Sequence, residues 1–102
     1  MALILPTWLP RNAGELIIGT YAGNVRGYHI LKDAEDEHHK SHPLVAIHTS
    51  KVLDILLDGF RAGDVIGIEF AGMRQAKGGY SYYSWRVLDL AELEGAHAKV
   101  ST

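Results

Sequence analysis

One segment of this chain reads as a helix, and its position constrains everything around it. In Lys51–Phe60 (KVLDILLDGF) the apolar residues Val52, Leu53, Leu56 and Phe60 recur at helical spacing, with Ile55 and Leu57 widening the stripe. Thr49 or Ser50 offers a hydroxyl to an orphan backbone N–H at the start, and Gly59 ends the helix after about two turns. The apolar segments on either side are strand-like.

Glu15–Gly23 (ELIIGTYAG) is rich in Ile, Thr and Tyr, and Gly19 in its middle predicts a bulge or a sharp bend. Gly23-Asn24 predicts a tight hairpin into a second strand, Val25–Leu31 (VRGYHIL). Lys32–Pro43 (KDAEDEHHKSHP) has no apolar periodicity and reads as a mobile polar connection, with Leu44–His48 as the third strand. After a turn at Arg61–Asp64, Val65–Phe70 alternates, placing Ile66, Ile68 and Phe70 on one face. Met73–Gly79 reads as a hairpin loop. In the last strand, Tyr80–Leu88, the core face is Tyr83, Trp85 and Val87, and Tyr82, Ser84 and Arg86 lie opposite.

The order is strand, strand, strand, helix, strand, strand. A ferredoxin-like unit needs a helix after its first strand, and an SH3-like barrel lacks a two-turn helix at this place. The expected fold is therefore all-β: a five-stranded, OB-fold-like Greek-key barrel with one short helix. A length of 102 residues, 47% hydrophobic, accommodates one domain. It divides into an extended N-terminal arm (1–14) with Trp8 between Pro6 and Pro10, the barrel (15–88) and a polar C-terminal tail (89–102) that is either a short helix or loose.

The absence of cysteine removes disulfides and thiolate zinc sites and fits a reducing compartment. No positively charged segment precedes the apolar opening, and no apolar run nears the ~20 residues that span a bilayer, so a cytoplasmic protein with no membrane partner is expected. The formal charge of −2 argues against indiscriminate attraction to nucleic acid. Charge is uneven, however, with acids gathered at Asp33–Glu37 and Asp89–Glu94.

Val45–Val87 carries a third strand running into a short helix (VAIHTSKVLDILLDGF) and a glycine-acid turn opening the fourth strand (AGDVIGIEFAG). A basic glycine hairpin and an aromatic final strand follow (MRQAKGGYSYYSWRV). This stretch resembles small phage- and plasmid-encoded proteins built on the oligonucleotide-binding barrel. The resemblance implies a single-stranded-DNA-binding or replication-accessory role, without the glycine-rich acidic tail usual in bacterial single-strand binders.

Single-stranded nucleic acid needs cations that track phosphates and flat rings on which bases stack. Arg74 and Lys77 flank Gly78-Gly79, and Tyr82 and Arg86 share the face opposite the core residues, so these four form the first candidate site. Tyr21, Arg26 and Tyr28 extend it if both tyrosines project outward; otherwise Tyr21 pairs with Tyr28 across the Gly23-Asn24 turn. His38, His39 and His42 stand beside carboxylates, but a polar loop gives them no fixed geometry, so no metal or other cofactor is expected. His29 and His48 read as structural. Ser50, His48 and Asp54 include no nucleophile elbow, and no glycine loop matches a phosphate-binding fingerprint.

The expectation is a non-enzymatic binder of single-stranded DNA or RNA, with DNA favoured. The competing reading is an assembly module, its arm residues Leu3, Ile4, Leu5 and Trp8 docking on a neighbour, with a symmetric homodimer as a related possibility.

Overall fold

The structure is a computed structural model that describes residues 6–100, apart from 37 and 39. Five strands and two helices follow one another: β1 (Leu16–Val25), β2 (Tyr28–Asp36), β3 (Ser41–His48), α1 (Lys51–Leu57), β4 (Val65–Gln75), β5 (Ser81–Leu88) and α2 (Leu90–Val100). All the strand ladders are antiparallel, in one sheet of order β3-β2-β1-β4-β5. The expected closure into a barrel is not made: among the described residues β3 and β5 share no ladder. The N-terminal arm lies along the edge of β3 instead. The Trp8 N–H donates to the Ala46 carbonyl at 2.9 Å and the Ala46 N–H to the Pro6 carbonyl at 2.8 Å, a parallel bridge centred on Thr7.

The curled sheet holds its core on the concave side. Ile17, Leu31, Val45, Ile47, Ile66 and Ile68 bury there, and Leu53 and Leu57 of α1 close over them. Ser50 caps α1, its hydroxyl accepting from the Leu53 N–H at 3.2 Å. The buried stripe is narrower than the sequence predicts. Val52 and Leu56 are exposed, and Ile55 is 67% exposed, because a seven-residue helix turns only Leu53 and Leu57 onto the sheet.

Gly19 does mark an irregularity, and the extra residue lies on the partner strand. Asp33 and Ala34 together oppose it, with Asp33 at φ 48°. A Cβ on Gly19 would lie 2.8 Å from the Ala34 Cβ, so only glycine lets the strands approach this closely. The hairpin expected at Gly23-Asn24 forms at Arg26-Gly27, both with positive φ, as a type I′ turn requires. Gly23 serves a bulge in β1 instead, where the register shifts after Tyr21.

Lys32–Pro43 is not a loop. β2 runs to Asp36 and β3 starts at Ser41, polar because this end of the hairpin extends beyond the core. β4 likewise runs past a bulge at Ala71-Gly72 to Gln75, shortening the expected Met73–Gly79 loop. The tail is helical. Asp89 accepts from the Glu92 N–H at 2.8 Å while Glu92 accepts from the Asp89 N–H, a reciprocal cap. No helix among the described residues is long and apolar enough to cross a membrane.

Candidate functional site

The arm helps to form a concavity against the sheet. Just before β1, Glu15 extends its pairing with β4: the Phe70 N–H donates to the Glu15 carbonyl, and the Phe70 carbonyl accepts from the Gly14 N–H. The Glu15 carboxylate accepts from the Arg11 and Asn12 N–H groups and folds the chain back. Residues 6–11 then cross from β4 to β3, and Trp8 lands beside Trp85 with ring centroids 6.3 Å apart. Between the arm and the sheet lies a groove of about 440 Å³.

Its lining is aromatic. Trp8, Phe70, Tyr83 and Trp85 line it together with Tyr28 and His48, which are paired across β2 and β3. Phe70 packs tilted against Trp85 at 5.5 Å and edge-on to Tyr83 at 5.4 Å, and Tyr28 meets His48 edge-on at 5.4 Å. The Trp85 indole N–H is buried and has no acceptor among the described residues. A buried donor left unpaired costs free energy comparable to its desolvation, so this N–H weakens the packing of Trp85. Arg11 lines one end. Arg26 is in the β1–β2 turn, which is fastened to the groove by the bond from the Thr49 N–H to the Gly27 carbonyl.

The sequence-predicted residues fall in four places. Tyr28 lines the groove, and Arg26 is in the adjoining β1–β2 turn. Arg74, Tyr82 and Arg86 are on the opposite, convex face of β4 and β5: Arg74 opposes Tyr82, and Arg86 opposes Glu69, whose charge offsets it. Lys77 is at the tip of their hairpin, between the strands. Tyr21 does not project outward at all. It is 6% exposed, is paired in register with Leu31 rather than Tyr28, and donates its O–H to His29 Nδ1 at 2.9 Å.

The expected core residue Tyr83 is 56% exposed, because β5 at this point has run past the apolar interior and offers one ring face to the groove. Trp85 and Val87 are partly buried against the core. Sequence reasoning does not bring Trp8, Phe70, Tyr83, Trp85 and His48 together as the lining of one groove. The available signal is the aromatic spacing of Tyr83 and Trp85 together with Trp8 between prolines, which parity alone assigns to packing.

His29 joins the interior to α1. It is buried at 3% exposure, and its Nε2 faces Asp54 Oδ1 at 2.7 Å. A carboxylate only accepts, so in the neutral ring Nε2 carries the proton and Nδ1 accepts from Tyr21. Burial, then the Asp54 charge, raises the Tyr21 phenol above its ordinary value. At the far hairpin His42 Nε2 contacts Asp36 Oδ2 at 3.1 Å. That bond, with smaller help from the Lys40 and His38 N–H groups, holds the Asp36 carboxyl below its usual range. Among the described residues no group of three or more His or carboxylate side chains forms a metal-binding cluster; His39 and Glu37 lie outside them, as do Leu3, Ile4 and Leu5 of the arm.

No protein-family model, curated protein or solved structure matches the chain, so the groove's own chemistry carries the functional reading.

Proposed function

We propose that this protein is a non-enzymatic binding module that takes single-stranded nucleic acid, DNA by preference, into the aromatic groove. The scaffold is then an oligonucleotide-binding barrel left open at its β3–β5 seam, with the helix after the third strand that such barrels carry. The observation that carries the reading is the convergence of Trp8, Tyr28, Tyr83 and Trp85 on one groove. Stacking on such rings stabilises binding by about 1–3 kcal/mol per base and tolerates any sequence.

The reading also agrees with the resemblance of Val45–Val87 to small phage- and plasmid-encoded single-strand binders, and it assigns the protein to the cytoplasm.

Cations are scarce here, so stacking has to dominate. With Arg11 and Arg26 each meeting one phosphate, the logarithm of affinity falls with the logarithm of salt at a slope of about −1.4. The test is direct because the chain's two tryptophans both line the groove. Oligo-dT titrated against intrinsic fluorescence should quench it saturably, with that shallow salt slope. An unchanged spectrum at low salt rejects the proposal and favours the assembly-module reading.

A further inference from the structure

His48 ends β3 at the groove, and its two ring nitrogens are in unequal surroundings. Nδ1 meets the Thr49 carbonyl at 2.9 Å. A carbonyl only accepts, so Nδ1 carries the proton of the neutral ring and Nε2 keeps a bare lone pair. Nε2 has no hydrogen-bond partner among the described residues, and His48 is exposed. A second proton therefore goes to Nε2, and it turns an acceptor into a charged donor.

The surroundings leave that charge uncompensated. Among the described residues that line the groove, Arg11 of the arm is the one fixed charge and no carboxylate is present. Tyr28 on β2 and Tyr83 on β5 are the other titratable side chains there, and a phenol brings no negative charge in acid. The adjoining β1–β2 turn contributes Arg26 and the start of α1 Lys51, both cations. The Asp54 carboxylate of α1 is turned to His29, 2.7 Å from its Nε2.

We propose that His48 is a proton-linked phosphate contact, through which the groove holds single-stranded nucleic acid more tightly as pH falls. The inference rests on the groove reading above and adds a regulator to it. His48 is paired in register with Tyr28, and the two rings meet edge-on at 5.4 Å. A nucleotide stacked on Tyr28 therefore has its phosphate in the neighbourhood of the imidazole. Phosphate favours the charged ring, so binding draws a proton onto Nε2 and, reciprocally, the proton raises affinity. Histidine is the side chain whose charge ordinarily changes between about pH 5 and pH 8, so the effect belongs to that interval.

Oligo-dT is the probe, because its bases do not titrate there and any pH dependence is the protein's. At about 50 mM salt, the midpoint of tryptophan quenching should move to roughly eightfold lower ligand concentration from the alkaline to the acidic end, the counterion release of one added phosphate contact. The salt slope should steepen with it, from about −1.4 to about −2.1. His48→Gln should keep the affinity of the alkaline end and lose the shift. His48→Lys should hold the steeper slope throughout, and His42→Gln, at the far hairpin beside Asp36, should behave as wild type. Saturable quenching with the same midpoint at both ends overturns this inference and leaves the groove reading standing, as does a shift that persists in His48→Gln. Absence of quenching at either end overturns both.

Discussion

His29 Nε2 and Asp54 Oδ1 meet at 2.7 Å, joining a buried strand residue to the helix that closes the core. Behind the ring, Tyr21 O–H occupies the other nitrogen, so β1, β2 and α1 share one polar connection. Tyr21→Phe leaves Nδ1 without a donor in a site closed to water and should cost about 1–3 kcal/mol in urea denaturation. Asp54→Ala should cost less, because the Asp54 side chain is 48% exposed and water can replace it. Equal losses in the two variants would contradict this assignment.

The same phenol sets an alkaline limit. Its folded pKa is raised above the 10.0 of the unfolded chain, by burial first and the Asp54 carboxylate second. Its contribution to stability is complete below that unfolded value and is lost as pH rises through the folded one, because the unfolded phenol releases its proton first. Thermal midpoints followed upward from pH 9 should fall more steeply for wild type than for Tyr21→Phe.

Gly19 offers a steric test. A methyl there would sit 2.8 Å from the Ala34 Cβ and 3.0 Å from the Lys32 carbonyl oxygen, so Gly19→Ala should destabilise by about 1–3 kcal/mol. Adding Ala34→Gly removes one of these clashes but not the carbonyl contact. The double variant should therefore recover part of the loss, which a double-mutant cycle measures directly.

What the sequence made legible was whatever depended on local apolar pattern. The strand-helix order, the Ser50 cap, the Gly19 irregularity and the parity of Ile66, Ile68 and Phe70 all follow from spacing that each segment carries within itself. The polar ends of β2 and β3 were not legible, because a hairpin extending beyond the core has no apolar face to announce it. Tyr21 was misplaced for a related reason. Its burial depends on His29 and Asp54, residues that only the fold brings to it. The groove is also non-local, since it exists only where residues 6–11 cross to β3. The tail helix was readable in Asp89-Leu90-Ala91-Glu92, a capping pattern hidden within an acidic run.

Arg26 should set stability against binding. It holds φ 50° in a two-residue turn that prefers asparagine or glycine. Arg26→Asn should therefore raise stability by about 0.5–1 kcal/mol. If its guanidinium meets a phosphate, the same change lowers oligonucleotide affinity and brings the salt slope down by about 0.7. A variant that is more stable and binds with an unchanged slope removes Arg26 from the site.

The groove and the convex hairpin face are separable by substitution, since Tyr28 and Tyr83 line one while Tyr82 lies on the other beside Arg74. Tyr28→Ala is the cleaner probe. Its ring is on a solvent-facing strand position, contacting His48 edge-on and leaving the central apolar cluster intact. Removing that ring should weaken oligo-dT binding by about 1–3 kcal/mol with the fold preserved, and Tyr83→Ala should do the same. Tyr82→Ala and the Arg74/Lys77 double substitution should leave the affinity of the groove nearly unchanged. Trp85→Ala serves as the structural control, because it removes packing from Phe70, Trp8 and the core together and should lower the unfolding midpoint before any question of binding arises. Affinity that follows Tyr82 and Arg74 while ignoring Tyr28 would place the nucleic acid on the convex face and leave the groove for another ligand.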